Sequence, residues 1–200
     1  MGCGKNGTFD KHPDWQQWGI LAVNRQSLNT ADLREEDLIT KLYGSFMGKW
    51  MRFFRCETWT IFLGPVEGHG SWDGKQPFGP LSKNINYEGP IAVLTRATIR
   101  LKKLNAFWQS VKGVAEEMAA ADGLITSIGI GESPFIKQAT FSIWQSREAM
   151  IQFAYQMHRH TEVIKKTRNE KWYSEDMFVR FKPLKTFGTI KGSDPLKGMI

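Results

Sequence analysis

From residue 91 onward the chain alternates between two hydrophobic periods. Residues 91–100 (IAVLTRATIR) place Ile91, Val93, Thr95, Ala97 and Ile99 on one face and Leu94, Arg96 and Thr98 on the other, the period of a strand. Leu104, Phe107, Trp108, Val111, Val114, Ala115 and Met118 then follow helical spacing, and Asp122-Gly123 stops that helix. Residues 124–131 and 139–144 read as strands, and 147–167 as a helix with polar and apolar faces. Residues 175–181 alternate again, with Met177, Val179 and Phe181 on one side. The order strand, helix, strand, strand, helix, strand is the split βαβ, or ferredoxin-like, unit. The predicted class is α+β, with an antiparallel sheet carrying helices on one face. Its other face needs a cover.

The earlier part of the chain reads as the same unit with its front missing. Residues 18–24 are predicted as a strand, 31–54 as a helix, and 58–63 as a strand ending in Gly64-Pro65. Gly2-Cys3-Gly4 corresponds to Gly129-Ile130-Gly131, and Gln26-Ser27 to Gln145-Ser146. Trp59, Ile61, Leu63 and Pro65 correspond to Met177, Val179, Phe181 and Pro183. A strand, a helix and most of a second strand are expected upstream of residue 1 or from a partner chain. Between the repeats, residues 64–90 hold six glycines and four prolines, a density that argues against regular structure and for a linker, flap or site loop. Trp72 and Phe78 inside it predict that it packs down. The expected division is a partial repeat over 1–63, the loop over 64–90, a complete repeat over 91–183 and a flexible tail over 184–200, rich in Gly, Lys and Pro.

Composition narrows the class. With 41% hydrophobic and 12% aromatic residues in 200, the chain has mass for a packed core and is neither disordered nor collagen-like. Two cysteines make no disulfide framework, and no secretory signal opens the chain, so a cytoplasmic protein is expected, with possible peripheral contact at a membrane surface. No apolar run approaches the roughly 20 residues of a membrane-spanning helix. The net charge of +7 suits anionic partners, though solubility alone accounts for it.

Few residues stand out as chemical. His12 and His69 lie in polar or Gly-rich stretches and read as solvated. His158 and His160 lie two apart on a helix, about 200° in rotation, so they cannot share a metal and are a poor zinc site. Met150, Phe153, Met157, His160 and Ile164 step by three and four, which puts His160 on the buried stripe and His158 off it. An imidazole there is either a satisfied core residue or the kind of single ligand that holds a heme iron. Arg96 interrupts a strand expected in mid-sheet. Its guanidinium either meets an anionic group such as a propionate or polarises a metal-bound ligand, or it salt-bridges a carboxylate or reaches solvent. Lys165, Lys166 and Arg168 read as a solvated helix end. No Ser-His-Asp order is legible, and Gly129-x-Gly131 is not followed by a helix that would cradle phosphate. RNA-recognition domains share the predicted topology, but residues 138–144 (QATFSIW) lack their basic-Gly-aromatic signature, so no nucleic-acid partner is expected.

Several stretches together resemble the spheroidene monooxygenase family. They are residues 57–63 (ETWTIFL), 70–78 (GSWDGKQPF), 94–100 (LTRATIR), 128–132 (IGIGE), 140–144 (TFSIW), Phe153-Ala154-Tyr155 with His160 and Ile164, and 172–175 (WYSE). The resemblance implies a dimeric α/β-barrel type built from two ferredoxin-like repeats and binding heme b through its iron. It implies an enzyme that uses O2 to introduce a keto group into a linear carotenoid, with electrons from a reduced ferredoxin or similar electron-transfer protein. The family's last-helix histidine falls on His160, the expected metal ligand. Arg96 is expected on the distal side or on a propionate, as catalytic and cofactor-binding residue. Tyr155 and Met157 are expected to line the pocket, and Trp144 to be ordinary core. A homodimer is expected, since a bare sheet face needs a partner. The alternatives are a non-heme dimer of the antibiotic-biosynthesis-monooxygenase type and a heme protein acting on another substrate.

Overall fold

The computed structural model describes residues 2–4, 12–23, 35–81, 87–133, 135–156, 165–167 and 169–200. Its elements are β1 (Gly2–Gly4), β2 (Pro13–Trp18), α1 (Glu35–Phe53), β3 (Trp59–Gly70), β4 (Ile91–Ile99), α2 (Leu104–Ala119), β5 (Leu124–Ser133), β6 (Lys137–Trp144), α3 (Arg147–Gln156) and β7 (Tyr173–Gly188). The chain divides into two compact units: Met1–Ile20 with Pro65–Lys182, and Leu21–Gly64 with Pro183–Ile200. Strands β3 and β7 pass from one to the other.

In the first unit the strands follow the order β2-β1-β5-β6-β4-β7-β3. Its β4-α2-β5-β6-α3-β7 series, with β5-β6-β4-β7 as neighbours, is the ferredoxin-like unit that the two periods predict. Every pairing within β5-β6-β4-β7 is antiparallel. Strand β4 lies between β6 and β7, which pair both its edges, and of its nine residues only Thr95 is exposed. Toward the helices, Ile91 and Val93 pack with Trp144, Met150 and Phe153. Trp144 and Phe153 stack at 5.1 Å, so Trp144 is core as expected. A second cluster joins Ile99 to Phe107 and Trp172.

Gly2 pairs with Gly131 and Cys3 with Ile130, so the matched segments lie side by side and antiparallel. The strand predicted over 18–24 is observed earlier, at Pro13–Trp18. Its partner β1 is only three residues long, and the register from Gly4↔Pro13 to Gly2↔Trp18 engages 13–18, leaving Ile20, Leu21 and Val23 unpaired and exposed. The helix predicted over 31–54 appears as α1, bent at Gly44 where φ is 76°. The helix predicted over 147–167 appears as α3 and as helical residues 165–167; Met157, His158 and His160 lie outside the described residues.

Two expectations of irregular chain do not hold. Strand β3 runs through Gly64-Pro65 to Gly70, past the stop that those residues predict. A proline is tolerated on an edge strand, where its missing N–H faces away from the ladder, and β3 ends the sheet. Likewise β7 continues to Gly188, and the residues after it are ordered: Leu196 is fully buried and Asp194 bonds Trp59 and Thr186. Trp72 and Phe78 do pack down, on Glu132 and Phe181 respectively.

The end of β3 lies so close to β7 that glycine is required there. At Gly70 φ is +89°, and a Cβ would fall inside contact distance of the Asp176 carbonyl and the Met177 Cα. Gly74 also has a positive φ, +72°, but a Cβ there would meet nothing. Gly74→Ala is therefore expected to cost about 1–2 kcal/mol from the left-handed backbone alone, and Gly70→Ala clearly more. Urea denaturation of the two variants reads the difference.

Candidate functional site

Arg96 lies in the centre of β4, opposite Met177 of β7, with its side chain fully buried. Such a charge requires partners of opposite sign, and the structure supplies three carboxylates. Nε donates to Glu132 at 3.0 Å, one terminal nitrogen to Glu175 at 2.7 Å and the other to Asp73 at 2.9 Å. The Trp72 ring lies over the guanidinium at 5.0 Å, and its indole N–H donates to the other oxygen of Glu132. Lys137 adds a second cation at Asp73, 2.8 Å away. Of the two readings open for Arg96, the geometry takes the salt bridge.

The turn that carries Asp73 is held from both sides. Glu175 accepts from the Ser71 hydroxyl at 2.6 Å and from the backbone N–H groups of Asp73 and Gly74 at 3.0 and 2.8 Å. Asp73 and Gly74 both have positive φ, which turns their N–H groups toward the same carboxylate. The Gly74 N–H, the Ser71 hydroxyl, Arg96 and the Asp73 N–H pull the Glu175 pKa down from 4.5 to about 2. Lys137 and then Arg96 lower that of Asp73. For Arg96 burial acts against the charge, but its bonds to Glu175, Asp73 and Glu132 outweigh it. A general acid or base works best with a pKa near the operating pH. Glu175 and Asp73 are shifted the wrong way for that, so the cluster is an anchor and not a proton-transfer device.

What the anchor holds is a loop folded over β7. Beside it lies an open concavity of about 250 Å³, lined by Gly68, His69 and Gly70 of β3, residues 76–81 and Met177 and Val179 of β7. Phe78 packs edge-on against Phe181 at 5.1 Å, and His69 stacks on Phe178 at 5.6 Å. The walls are of mixed polarity: Phe78, Leu81, Met177 and Val179 are apolar, and the imidazole of His69 and the amide of Gln76 are the polar side chains. Such a surface can seat an apolar chain end and offer it a hydrogen bond. His69 was read from sequence as merely solvated. It is exposed, but it lies on the concavity's lining; only its position in the Gly-rich stretch hinted at a role.

The other sequence-predicted residues are placed elsewhere. Tyr155 is on α3 and 67% exposed, and among the described residues no hydrogen bond, ion pair or ring contact joins it to the Arg96 cluster. His160 and Met157, together with His158 and Arg168, lie outside the described residues. Lys165 and Lys166 are exposed, Lys166 over the Trp172 ring. Among the described residues no group of three or more His, Cys, Asp and Glu could hold a metal ion, and no helix is long and apolar enough to cross a membrane. Each Arg96 nitrogen already bonds a carboxylate and the Tyr155 side chain faces water, while the residues expected to hold a heme, His160 and Met157, are not among the described residues.

No family model matches the chain. Curated proteins do. It is 36% identical over 197 residues to spheroidene monooxygenase of Cereibacter sphaeroides, covering 98% of this chain and 58% of that protein. It is 33% identical over 200 residues to spheroidene monooxygenase of Rhodobacter capsulatus, covering 100% of this chain and 80% of that protein. The chain thus spans somewhat over half the length of the first relative and four fifths of the second. Among solved structures, a putative monooxygenase of Fusobacterium nucleatum is similar with a TM-score of 0.47 and 14% identity, over 78% of this chain and 66% of that one.

Arg96→Met is expected to destabilise the first unit by about 3 kcal/mol, the lower end for breaking a buried ion pair, because the abandoned carboxylates keep some contact with water. Equilibrium denaturation measures this. The folded pKa of Glu175 lies below its ordinary value, so its stabilisation is complete above pH 4.5 and is lost as the pH falls toward about 2. Glu175→Gln should flatten the acid limb of stability over that window, read by thermal melts at successive pH values.

Proposed function

The chain belongs to the spheroidene monooxygenase family, and on that premise we propose that it oxygenates a linear carotenoid, turning the C-2 methylene of an end group into a ketone. The observation that carries this reading is the match to the Rhodobacter capsulatus relative along all 200 residues. Making a ketone from a methylene takes two monooxygenations. Each consumes one O2, two electrons and two protons and releases one water, and the resulting gem-diol loses a further water. The electrons come from a reduced ferredoxin or similar donor protein.

The residues of this chain supply binding and orientation. The concavity beside the anchored loop suits the methyl-bearing end of a polyene: Phe78, Leu81, Met177 and Val179 offer apolar walls, and His69 and Gln76 are the groups able to bond a newly formed hydroxyl or carbonyl. The Arg96 cluster fixes that loop and so acts as a positioning group. Heme b is assigned as cofactor on the His160 stripe of the sequence, with Met157 beside it; Arg96 is committed to its carboxylates. A cytoplasmic location, with peripheral contact at a membrane holding the carotenoid, and a homodimer complete the reading.

The test is an incubation with a linear carotenoid, O2 and a reduced ferredoxin, with and without hemin. The expected product has gained one oxygen and lost two hydrogens, and hemin-loaded protein shows a Soret band that His160→Ala abolishes or shifts and His158→Ala preserves. Equal spectra for the two variants would remove His160 as ligand. Turnover by a colourless, hemin-indifferent protein would favour a non-heme oxygenase, and absence of keto product from the hemin-loaded protein would end the carotenoid assignment.

A further inference from the structure

The core beneath the helices of the first unit is interrupted in the middle of the sheet. Ile91, Val93, Thr95, Ala97 and Ile99 share one face of β4. On that face Ile91 and Val93 pack with Met150 and Phe153 of α3, and Ile99 packs with Phe107 of α2. These are two separate clusters, where a sheet face under its helices ordinarily builds one contiguous core. Between them Thr95 is exposed, although its strand is flanked on both edges. Its partners across the sheet, Thr140 of β6 and Phe178 of β7, are only half-buried. The result is a gap floored by Thr95, Thr140 and Phe178, with an apolar cluster on either side.

The gap carries an unbalanced positive charge beside it. Arg180 stands two residues beyond Phe178 on the same face of β7, and its guanidinium lies over the Phe178 ring at 5.0 Å. The residue is 8% exposed. One terminal nitrogen donates to Glu67 of β3 at 2.6 Å. The other meets only the Met150 sulfur, a weak acceptor, at 4.0 Å, and the buried Nε has no partner. Arg147, at the start of α3, comes to 3.8 Å from the same Glu67 oxygen, too far for a hydrogen bond, and its Nε is likewise buried and unpaired. Arg96 is the measure of what is missing, since each of its nitrogens meets a carboxylate. Among the described residues Arg147 and Arg180 share one carboxylate between two charges. A buried cation without a full complement of anions is costly. One further carboxylate would balance the pair, and the partly exposed Arg147 side chain leaves it an approach.

Resting on the heme reading for the class of ligand, we propose that Arg147 and Arg180 bind a carboxylate of a porphyrin whose ring lies in the gap over Thr95. A porphyrin of this kind is flat and apolar with its carboxylates on one edge, and the gap answers each half. The ring faces Phe178 and the threonine methyl groups between the two apolar clusters, and the edge meets the arginine pair. Guanidinium and carboxylate make charge-assisted, often bidentate hydrogen bonds, stronger than those between neutral groups. The carboxylate is thereby assigned to the helix side of the sheet, away from Arg96, whose nitrogens are taken. Neither the iron nor its ligand enters into this assignment.

The probe is metal-free protoporphyrin IX, titrated into the 200-residue protein and followed by its fluorescence, so that iron ligation plays no part. Saturable one-to-one binding is expected. Esterifying the carboxylates, as in the dimethyl ester, should weaken it by about tenfold or more, the loss of a charge-assisted contact. Arg147→Gln should weaken the diacid to a similar degree and leave the ester unchanged. Thr95→Trp, at an exposed position, should block both porphyrins without lowering the melting temperature. The ester leaves the protein untouched, so it decides the matter even if a variant disturbs the fold. No binding, equal binding of diacid and ester, or binding indifferent to Thr95→Trp would overturn the proposal. Arg147-dependent binding of octanoate by a protein that takes no protoporphyrin would overturn it in favour of a free carboxylate. Diacid-selective, Arg147-dependent binding of protoporphyrin, beside a hemin spectrum that His160→Ala leaves unchanged, would end the iron-ligand assignment and uphold this site.

Discussion

A guanidinium buried at the centre of a sheet governs this molecule. An arginine cannot shed its charge, so a strand that places one in mid-sheet must also bring anions to it. Arg96 meets that demand with carboxylates from three places: Glu132 at the end of β5, Glu175 on β7 and Asp73 in the loop after β3. The planar fork suits this because each nitrogen points to a different acceptor. A lysine's three donors radiate from a single nitrogen, so they do not reach acceptors spread around a plane as the guanidinium's do. The sheet face left bare by the helices is closed here by the turn 71–75, drawn down by charge, with the Trp72 ring laid on the same guanidinium.

The same constraint keeps the cluster out of proton transfer. Three carboxylates face two cations, Arg96 and Lys137, in a network whose hydrogen bonds are already made. Glu175 and Asp73 stay ionised to low pH, so neither takes up a proton near neutrality. The adjoining concavity has the opposite character. Phe78, Leu81, Met177 and Val179 give it little charge, and His69 is held against Phe178.

What could be read from the sequence follows from which information is local. The βαββαβ order of 91–181 was legible because periods of two and of three to four report burial directly, and Arg96 was conspicuous because it breaks one of them. Its partners were not legible. Asp73, Glu132 and Glu175 are distant in sequence, and nothing near any of them marks it as an arginine ligand. Strand β3 was read short because Gly64 and Pro65 are local stop signals, whereas its position at the sheet's end is a tertiary fact. Residues 184–200 looked aperiodic because their order comes from a turn pinned by Glu57 and Asp194, which leaves no hydrophobic period. The lining role of His69 was hidden for the same reason, since a histidine between two glycines carries no periodicity.

The repeat joins these points. Matching Trp59, Ile61, Leu63 and Pro65 to Met177, Val179, Phe181 and Pro183 rested on few identities, yet the turns that follow agree in backbone angles, hydroxyl position and carboxylate. What was kept between the copies is the part that fixes geometry: a glutamate at or just before the start of the strand (Glu175 and Glu57), a hydroxyl (Ser71 and Thr189), and a glycine with positive φ (Gly74 and Gly192). What diverged is the face of the turn. Asp73, which bonds Arg96 and Lys137, stands where Lys191 stands in the other copy. A carboxylate added to the Glu175 turn strengthens its hold on the buried arginine, whereas Lys191 brings no second carboxylate at the matching position of the Glu57 turn. One backbone device thus serves two electrostatic settings, and the difference within the turn itself lies in a single side chain.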